Sequence, residues 1–204
     1  VYRIAAHLRL SPPDWTYRRW LYARWARRHD TLSRQDVKAI KRHIAQLSAP
    51  PLISVLMPVY NTPVNLLCET IDSVLGQLYP YFELCIADDA SSNTEVKSTL
   101  EAYARRDARI KLVFRESNGH ISAASNTALA MATGSFVALL DHDDLLAPHA
   151  LYWVADEILR HPDAEIVYSD EDKINEDGKR LDPYHKPDWN PQLALSQNFV
   201  SHLG

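Results

Sequence analysis

Three groups of polar residues, each placed directly after an apolar run, have the side chains to do chemistry. They are Tyr60-Asn61, Asp88-Asp89 and Asp141-His142-Asp143-Asp144. Asp141 and Asp143 are one residue apart, so in an extended backbone both carboxylates lie on the same side, with His142 on the other. Such a pair of oxygen ligands suits Mg²⁺ or Mn²⁺ held jointly by protein and a phosphate. A metal there would neutralise the charge that develops on a departing diphosphate.

The elements that must position these groups alternate between strand and helix. Apolar strand patterns cover 52–59, 82–87, 109–114 and 136–140, and helical periodicity covers 64–78, 95–106, 121–132 and 148–161. A short strand is also predicted at 166–168, with a turn at 176–178. This order predicts a doubly wound, mostly parallel α/β sheet whose apolar strands, 136–140 included, are covered on both faces. Because ligands bind beyond the carboxyl ends of such strands, the three polar groups should share one edge.

Charge and proline divide the chain into two predicted domains. Residues 1–49 hold eleven Lys and Arg against three Asp and Glu, a balance of +8, whereas residues 50–204 hold eleven against twenty-three, a balance of −12. Residues 1–49 form a basic helical extension, and its second helix, at 31–48, is predicted to begin with a capping box of Ser33 and Asp36. Residues 50–204 form the α/β domain.

The basic extension interleaves aromatic and arginine residues. Its first helix places Tyr17, Trp20, Leu21 and Trp25 on one side among five arginines. Packing of this aromatic side on the acidic body is the favoured interpretation. The alternative is contact with an anionic membrane surface, which would make the chain a non-catalytic docking module. We expect no nucleic-acid partner.

Composition excludes several function classes. With five glycines the chain has neither a dinucleotide-binding G-x-G-x-x-G nor a phosphate-binding G-K-[ST] motif. Its two cysteines, Cys68 and Cys85, exclude a zinc knuckle and a disulfide framework, which favours a reducing cytoplasmic location. Apolar runs stay far below the roughly 20 residues that cross a bilayer.

Five motifs in order give residues 52–204 a family resemblance. They are Met57-Pro-Val-Tyr-Asn61, Ser73-Val-Leu-Gly-Gln77, Ile86-Ala-Asp-Asp-Ala-Ser91, Asn118-Gly-His120 with Ala124-Ser-Asn126, and Leu140-Asp-His-Asp-Asp144. Together they resemble the nucleotide-sugar-binding half of family 2 glycosyltransferases, which have the GT-A fold. The later stretches 168–173 and 186–191 are similar to the bacterial branch that builds surface polysaccharides, including rhamnosyltransferase-like members.

The resemblance implies roles for individual residues. Pro58 and Tyr60 would contact the nucleoside, and Asp89 or Asp88 would accept a hydrogen bond from the base, which favours uracil or thymine because N3–H is a donor. The other implied ligands are Asn118 and Gly119 beside the nucleotide, Asp143 on Mn²⁺ or Mg²⁺, and Asp141 on the metal or the ribose. Asp170, Glu171 and Asp172 would line the sugar or acceptor cleft, or form a solvated charge cluster.

The implied activity is metal-dependent, inverting transfer of a sugar from a UDP- or dTDP-linked donor to a polysaccharide or lipid-linked acceptor. The enzyme would act in the cytoplasm or as a peripheral protein at the inner face of the bacterial membrane. The family places its catalytic base after the position of Gly204, so we expect this chain to bind donor but to transfer poorly alone. A haloacid-dehalogenase-like phosphohydrolase is a weaker alternative, because Leu145 stands where that family usually has Thr or Val.

Overall fold

The computed structural model describes residues 15–200, and the side chains from residue 17 onward. Along the chain the helices are α1 (Trp15–His29), α2 (Arg34–Ile44), α3 (Val64–Leu75), α4 (Thr94–Arg106), α5 (His120–Leu129), α6 (Ala150–Arg160) and α7 (Pro191–Ser196). The strands are β1 (Ile53–Val59), β2 (Phe82–Asp88), β3 (Ile110–Phe114), β4 (Phe136–Leu139), β5 (Glu171–Ile174) and β6 (Arg180–Tyr184). Within this range none of the helices is both long and apolar enough to span a membrane.

Four parallel strands form the central sheet, in the order β3-β2-β1-β4. The chain steps outward from β1 to β3 and then returns to place β4 on the other side of β1. The direction of winding therefore reverses between β1 and β4, and a crevice opens at their carboxyl ends, which is where α/β sheets bind ligands. The doubly wound α/β class predicted from the sequence is confirmed.

Period-two alternation distributes the strand residues between two cores. Ile53, Val55 and Met57 are buried on one face of β1, together with apolar residues of α3, α4 and α6. Leu56 lies on the other face, where Cys85 of β2 and the small residues of α5 complete a second, smaller core. Small side chains let α5 lie close to the sheet, which explains why this helix is rich in alanine.

The structure corrects the predicted surroundings of two segments. Among the described residues, β4 pairs only with β1 and is an edge strand, and its Val137 and Leu139 are 42% and 48% exposed. The prediction that this strand is covered on both faces is therefore wrong. Residues 166–168 form no strand, since nothing in the described part of the chain pairs with them and Ile166 is exposed.

The helices α1 and α2 of the basic extension are stabilised by different contacts. Ser33 caps α2 by accepting from the backbone of Asp36, whose carboxylate accepts from the Ser33 N–H, so the predicted capping box is confirmed. α1 contacts the β5–β6 hairpin, whose turn includes Gly178 as predicted. The predicted division at residue 50 concerns residues 1–14 as well, and these lie outside the described residues.

The aromatic side of α1 is not the side that packs. Tyr17, Trp20 and Trp25 are 51%, 50% and 46% exposed. The helix is held instead through Tyr22, whose hydroxyl donates to Asp172 of the hairpin. The favoured interpretation, in which the aromatic side packs on the body, is therefore wrong. Tyr17 and Trp20 lie on the side of the helix away from the hairpin, and Trp25 stacks on Tyr22 and stays about half exposed.

Candidate functional site

The three polar groups meet at the carboxyl edge of the sheet. Val59 of β1 lies beside Asp88 of β2, and the Asp89 N–H donates to the Val59 carbonyl over 2.8 Å. On the other side of β1, the Leu140 N–H donates to Leu56 over 3.1 Å, which sets the position of the Asp141-His142-Asp143-Asp144 loop. Parallel pairing therefore brings Tyr60-Asn61, Asp88-Asp89 and the Asp141 group to the same edge of the sheet.

Asp88 shapes the turn after β2. It is buried, and its carboxylate accepts from the backbone N–H of Ser91 over 3.0 Å and from the Ser91 hydroxyl. Ala90, between the two aspartates and the serine, has a φ of 60°, a left-handed conformation that costs energy in a residue with a Cβ. The carboxylate of Asp88 thus holds a strained turn and directs the following residues.

Asn61 links the ends of β1 and β2. Its φ is 49°, and its side-chain oxygen accepts from the N–H groups of Ser92 and Asn93 over 2.8 and 3.2 Å. Its own N–H donates to the hydroxyl of Ser91 over 2.9 Å. Asparagine tolerates the left-handed region better than most residues, so it can bridge the two strand ends here.

Asp89 is the most enclosed carboxylate at this edge, with a side chain 3% exposed. Nη1 of Arg115 lies 2.6 Å from Oδ1 of Asp89. The Gly119 N–H donates to both carboxylate oxygens, over 3.0 and 3.1 Å, and the Asn118 amide donates to the Asp89 carbonyl over 3.3 Å. Asp89 therefore gathers Arg115, Asn118 and Gly119 around one buried charge.

Arg115 was not singled out from the sequence. It follows β3 directly, as Asp89 follows β2, and the neighbouring strands place the two side chains together. A Cβ on Gly119 would lie 2.7 Å from Nη1 of Arg115 and 2.8 Å from the Cβ of Ala123, so only glycine leaves room for the guanidinium. The sequence did carry a signal for Arg115: it is a basic residue that directly follows β3, the strand beside the one that ends at Asp88.

Pro58 and Tyr60 occupy different environments at the end of β1. Pro58 is buried within the strand, beside Ala87 of β2. Tyr60 projects at the sheet edge with 48% of its surface exposed. The phenol ring is therefore accessible beside the Asp88 and Asp89 turn, and it could stack on a flat ligand.

Asp141 and Asp143 also differ in exposure. Asp141 is half-buried, whereas the Asp143 side chain is 54% exposed. No cluster of three His, Cys, Asp or Glu side chains able to hold a metal occurs within residues 15–200. Mg²⁺ and Mn²⁺ commonly take only one or two carboxylates and fill the other positions with phosphate and water. The two aspartates fit an ion shared with a diphosphate and do not form an all-protein cage.

One side of α3 anchors the loop that carries these aspartates. Thr70 donates to the His142 carbonyl over 3.1 Å, and the Ser73 hydroxyl accepts from the Leu146 N–H over 3.1 Å. Gln77 spans the rest of the loop, donating to the Ala147 carbonyl over 2.7 Å and accepting from the Leu151 N–H over 3.0 Å. The polar residues of the Ser73-to-Gln77 motif thus fix the Asp141–Asp143 segment, a function that sequence reasoning had not assigned.

Asp170, Glu171 and Asp172 lie at the hairpin, each beside a cationic or basic side chain. Asp170 contacts His185 over 2.8 Å, Glu171 lies 3.1 Å from the Lys186 ammonium, and Asp172 contacts Arg180. Burial raises the pKa of Asp170, but hydrogen bonds from His185 and Lys186 outweigh it and hold the pKa below its ordinary value. These contacts favour a role in holding the hairpin over contact with a sugar.

The fold and this site define a family 2 glycosyltransferase of the GT-A type. The family model described as glycosyl transferase family 2 matches residues 54–201, most of the chain, and the protein belongs to that family. This membership removes the phosphohydrolase alternative. It also agrees with the resemblance carried by the five sequence motifs.

Curated relatives are much longer than this chain. It is 49% identical over 180 residues to the protein y4gI of Sinorhizobium fredii, covering 88% of this chain and 19% of that protein. It is 37% identical over 167 residues to the O-antigen biosynthesis protein RfbC of Myxococcus xanthus, covering 82% of this chain and 13% of that protein. The chain therefore spans less than a fifth of the length of these relatives.

Among solved structures, the chain is similar to TarS of S. aureus in its complex with UDP-GlcNAc. The match has a TM-score of 0.50 and 30% sequence identity. It covers 54% of this chain and 32% of TarS residues in that structure. This similarity supports the GT-A fold assignment.

Proposed function

We propose that this chain carries the donor site of a glycosyltransferase that uses a UDP- or dTDP-linked sugar and a divalent metal ion. The observation that carries the proposal is that the Asp89–Arg115–Gly119 cluster, after β2 and β3, and the Asp141–Asp143 loop, after β4, lie on the same carboxyl edge of the sheet, on either side of β1. One group can recognise a base and the other a diphosphate. The complex of TarS with UDP-GlcNAc supports this class of donor.

The buried pair at the end of β2 and β3 has the polarity to recognise a pyrimidine edge. Asp89 is an acceptor for the N3–H of uracil or thymine through Oδ2, which among the described residues has only the Gly119 N–H as donor, whereas Oδ1 already accepts from Arg115 and Gly119. Arg115 is a donor for the neighbouring carbonyl oxygen. Asn118 and Gly119 border the same position, and the exposed ring of Tyr60 supplies a stacking surface.

The metal would be held by Asp143, with Asp141 as a second ligand or a contact to the ribose. Bound Mn²⁺ or Mg²⁺ supplies Lewis-acid stabilisation of the negative charge on the departing diphosphate. The chain's own contribution is to orient the two carboxylates. Thr70, Ser73 and Gln77 hold the backbone of the loop, so that the carboxylates are positioned before the donor arrives.

The acceptor is proposed to be a growing glycan or a lipid-linked sugar at the cytoplasmic side of a bacterial envelope, with inversion at the transferred carbon. The name of the Myxococcus xanthus relative, an O-antigen biosynthesis protein, supports this class of product. Asp170, Glu171 and Asp172 are assigned to the hairpin and not to the reacting centre. No residue of this chain is assigned as the general base.

Calorimetric titration of UDP into the chain, with Mn²⁺ and again with EDTA, tests the donor site. We expect UDP and dTDP to bind more tightly with Mn²⁺ than with EDTA, and GDP to bind least. Asp143→Ala should abolish the metal dependence. The matched control is Asp163→Ala, which removes an exposed carboxylate from the loop after α6. Metal-independent binding that Asp143→Ala leaves unchanged would refute the metal assignment, and absence of nucleotide binding by folded protein would refute the donor site.

A further inference from the structure

The outer side of α1 is an unusual surface for a chain of net charge −4. From Trp15 to His29 the helix contains five arginines and no acidic residue. Tyr17, Trp20 and Trp25 are each about half exposed. Exposed tryptophan is costly in water unless a partner covers it, so this surface needs an explanation.

Contacts with the body establish which side of α1 is outward. Tyr22 donates to Asp172, Ala26 is buried, and Asp30 lies 2.6 Å from Arg180 of β6. These three positions follow one another at intervals of four residues, so they share one side of the helical path. That side of α1 is therefore the one that contacts the hairpin.

The opposite side carries alternating aromatic and cationic residues. Positions 17, 20, 24 and 28 follow at intervals of three and four residues, so Tyr17, Trp20, Arg24 and Arg28 line the side facing away from the hairpin. Tyr17 stacks on Trp20 with ring centroids 6.1 Å apart, and the Arg24 guanidinium lies 5.5 Å from the Trp20 ring centroid. Rings and guanidinium groups thus form one amphipathic surface.

The charge of the basic extension indicates which kind of partner would bind the outer side of α1. Residues 15–49 contain nine Lys and Arg against Asp30 and Asp36, and these two acids contact Arg180 and the Ser33 cap. Residues 50–204 carry −12 and would be repelled by an anionic surface. Tryptophan and tyrosine prefer the headgroup region of a bilayer, and arginine pairs with lipid phosphates there.

We propose that the outer side of α1 is a peripheral docking surface for an anionic lipid bilayer. Tyr17 and Trp20 sit among the headgroups, and Arg24 and Arg28 contact the phosphates. The hairpin contacts of Tyr22 and Asp30 keep the helix attached to the α/β domain while its outer side is bound. This surface is independent of the donor site and would bind lipid whether or not a nucleotide is present.

Co-sedimentation with vesicles tests the proposal on the whole chain. We expect binding to vesicles of phosphatidylcholine mixed with phosphatidylglycerol, little binding to phosphatidylcholine alone, and weaker binding as salt rises. Arg24→Gln with Arg28→Gln should lower the partition coefficient roughly ten- to thirtyfold, because each basic residue near an anionic surface contributes a severalfold factor. Tyr17→Ala with Trp20→Ala should lower it as well, with a smaller fluorescence blue shift on vesicles.

The matched control is Lys38→Gln with Arg42→Gln, which removes the same charge from the exposed surface of α2. We expect this control to keep most of the binding. Equal losses in the control and in the α1 charge variant would overturn the assignment to α1, as would equal binding to neutral and anionic vesicles. Binding of a duplex or single-stranded oligonucleotide without vesicle binding would also overturn it.

Two further measurements separate this proposal from folding and from the donor site. The α1 variants should unfold at the temperature of the unmodified protein, because the altered side chains face away from the hairpin. They should also bind UDP unchanged. Vesicle binding without UDP binding would support the docking surface and contradict the donor site. UDP binding without vesicle binding would support the donor site and contradict the docking surface.

Discussion

The guanidinium of Arg115 lies 2.6 Å from the carboxylate of Asp89, joining residues that directly follow two neighbouring parallel strands. The backbone reinforces this link, since the Arg115 N–H donates to the Asp88 carbonyl over 2.9 Å. The Asp89 carboxylate is almost fully buried. A buried polar group is stable only with partners, and these contacts hold the Asp89 carboxylate in one orientation.

Arg115→Ala should weaken UDP binding about ten- to a hundredfold, because it removes a charge-assisted donor and leaves Asp89 with backbone partners alone. The matched control is Arg109→Ala, at the other end of β3, where the guanidinium contacts Asp107 over 2.7 Å. Titration calorimetry on both variants measures the difference. Equal affinities in the two variants would contradict a role for Arg115 in the donor site.

Gly119→Ala should reproduce the loss seen on removing Arg115. The added Cβ would lie 2.7 Å from Nη1 of Arg115 and 2.8 Å from the Cβ of Ala123, so the guanidinium must shift from its present position against Asp89. Gly178→Ala is the informative comparison. Gly178 has open space around it but a φ of 71°, so alanine there should cost about 1 kcal/mol of stability without affecting nucleotide binding. Thermal unfolding and UDP titration separate the two effects, and a Gly119→Ala variant that binds UDP normally would contradict the packing argument.

Glu83 should make stability depend on pH well below neutrality. It is buried at the start of β2, where it accepts from Ser54 over 2.7 Å and Thr133 N–H over 2.6 Å and pairs with Lys111. Burial raises its pKa, but the Lys111, Thr133 and Ser54 contacts outweigh burial and lower the pKa from 4.5 to about 2. The folded-state pKa lies below the unfolded one, so the stabilisation is complete above the unfolded value.

That stabilisation, about 3 kcal/mol for the fall in pKa from 4.5 to about 2, should be lost as the pH falls from about 5 to 2. Glu83→Gln should lower the free energy of unfolding at neutral pH and flatten its dependence over this range. Glu101→Gln, which removes an exposed partner of Arg105, should change stability by less than about 0.5 kcal/mol. Denaturant unfolding at several pH values provides the measurement. An unchanged pH dependence in Glu83→Gln would show that other carboxylates control acid unfolding.

Sequence reasoning succeeded where one local pattern determines the outcome. Strand and helix periodicity predicted the order of β1 to β4 and α3 to α6, and parallel pairing then required Asp88-Asp89 and Asp141 to share an edge. The Ser33 capping box was also readable, because its two hydrogen bonds join residues three positions apart. In these cases the determining contacts are short-range or follow from sheet topology alone.

Other features depend on contacts between residues distant in the chain. Arg115 pairs with Asp89 only because β3 lies beside β2, and Gln77 binds the loop before α6 across seventy residues. The aromatic residues of α1 have the periodicity of a buried face. The side of the helix that contacts the protein is instead the one that carries Tyr22, which hydrogen-bonds to the hairpin, and that leads to Asp30, which forms an ion pair with it. Periodicity identifies an amphipathic helix without showing which side meets the protein.

Gln77→Leu should uncouple metal assistance from nucleotide binding. The change leaves the Ala147 carbonyl and the Leu151 N–H without the Gln77 amide, so the loop that carries Asp141 and Asp143 loses its distal anchor. The Leu151 N–H is then left without its partner, at a cost of about 1–3 kcal/mol, whereas the Ala147 carbonyl still accepts from the Ala150 N–H. We expect UDP affinity in EDTA to change little, because the Asp89 cluster is untouched. The gain in affinity on adding Mn²⁺ should shrink severalfold, because the loop that carries the two aspartates is less firmly held.

The matched control for this variant is Gln35→Leu on α2, where the side chain is exposed and far along the chain from the loop. It should preserve both the stability and the ratio of UDP dissociation constants measured with EDTA and with Mn²⁺. That ratio is the decisive readout, because general destabilisation would weaken both constants together. A Gln77→Leu protein with an unchanged ratio would show that Thr70 and Ser73 suffice to hold the carboxylates, and that the Gln77 contacts stabilise only the start of α6.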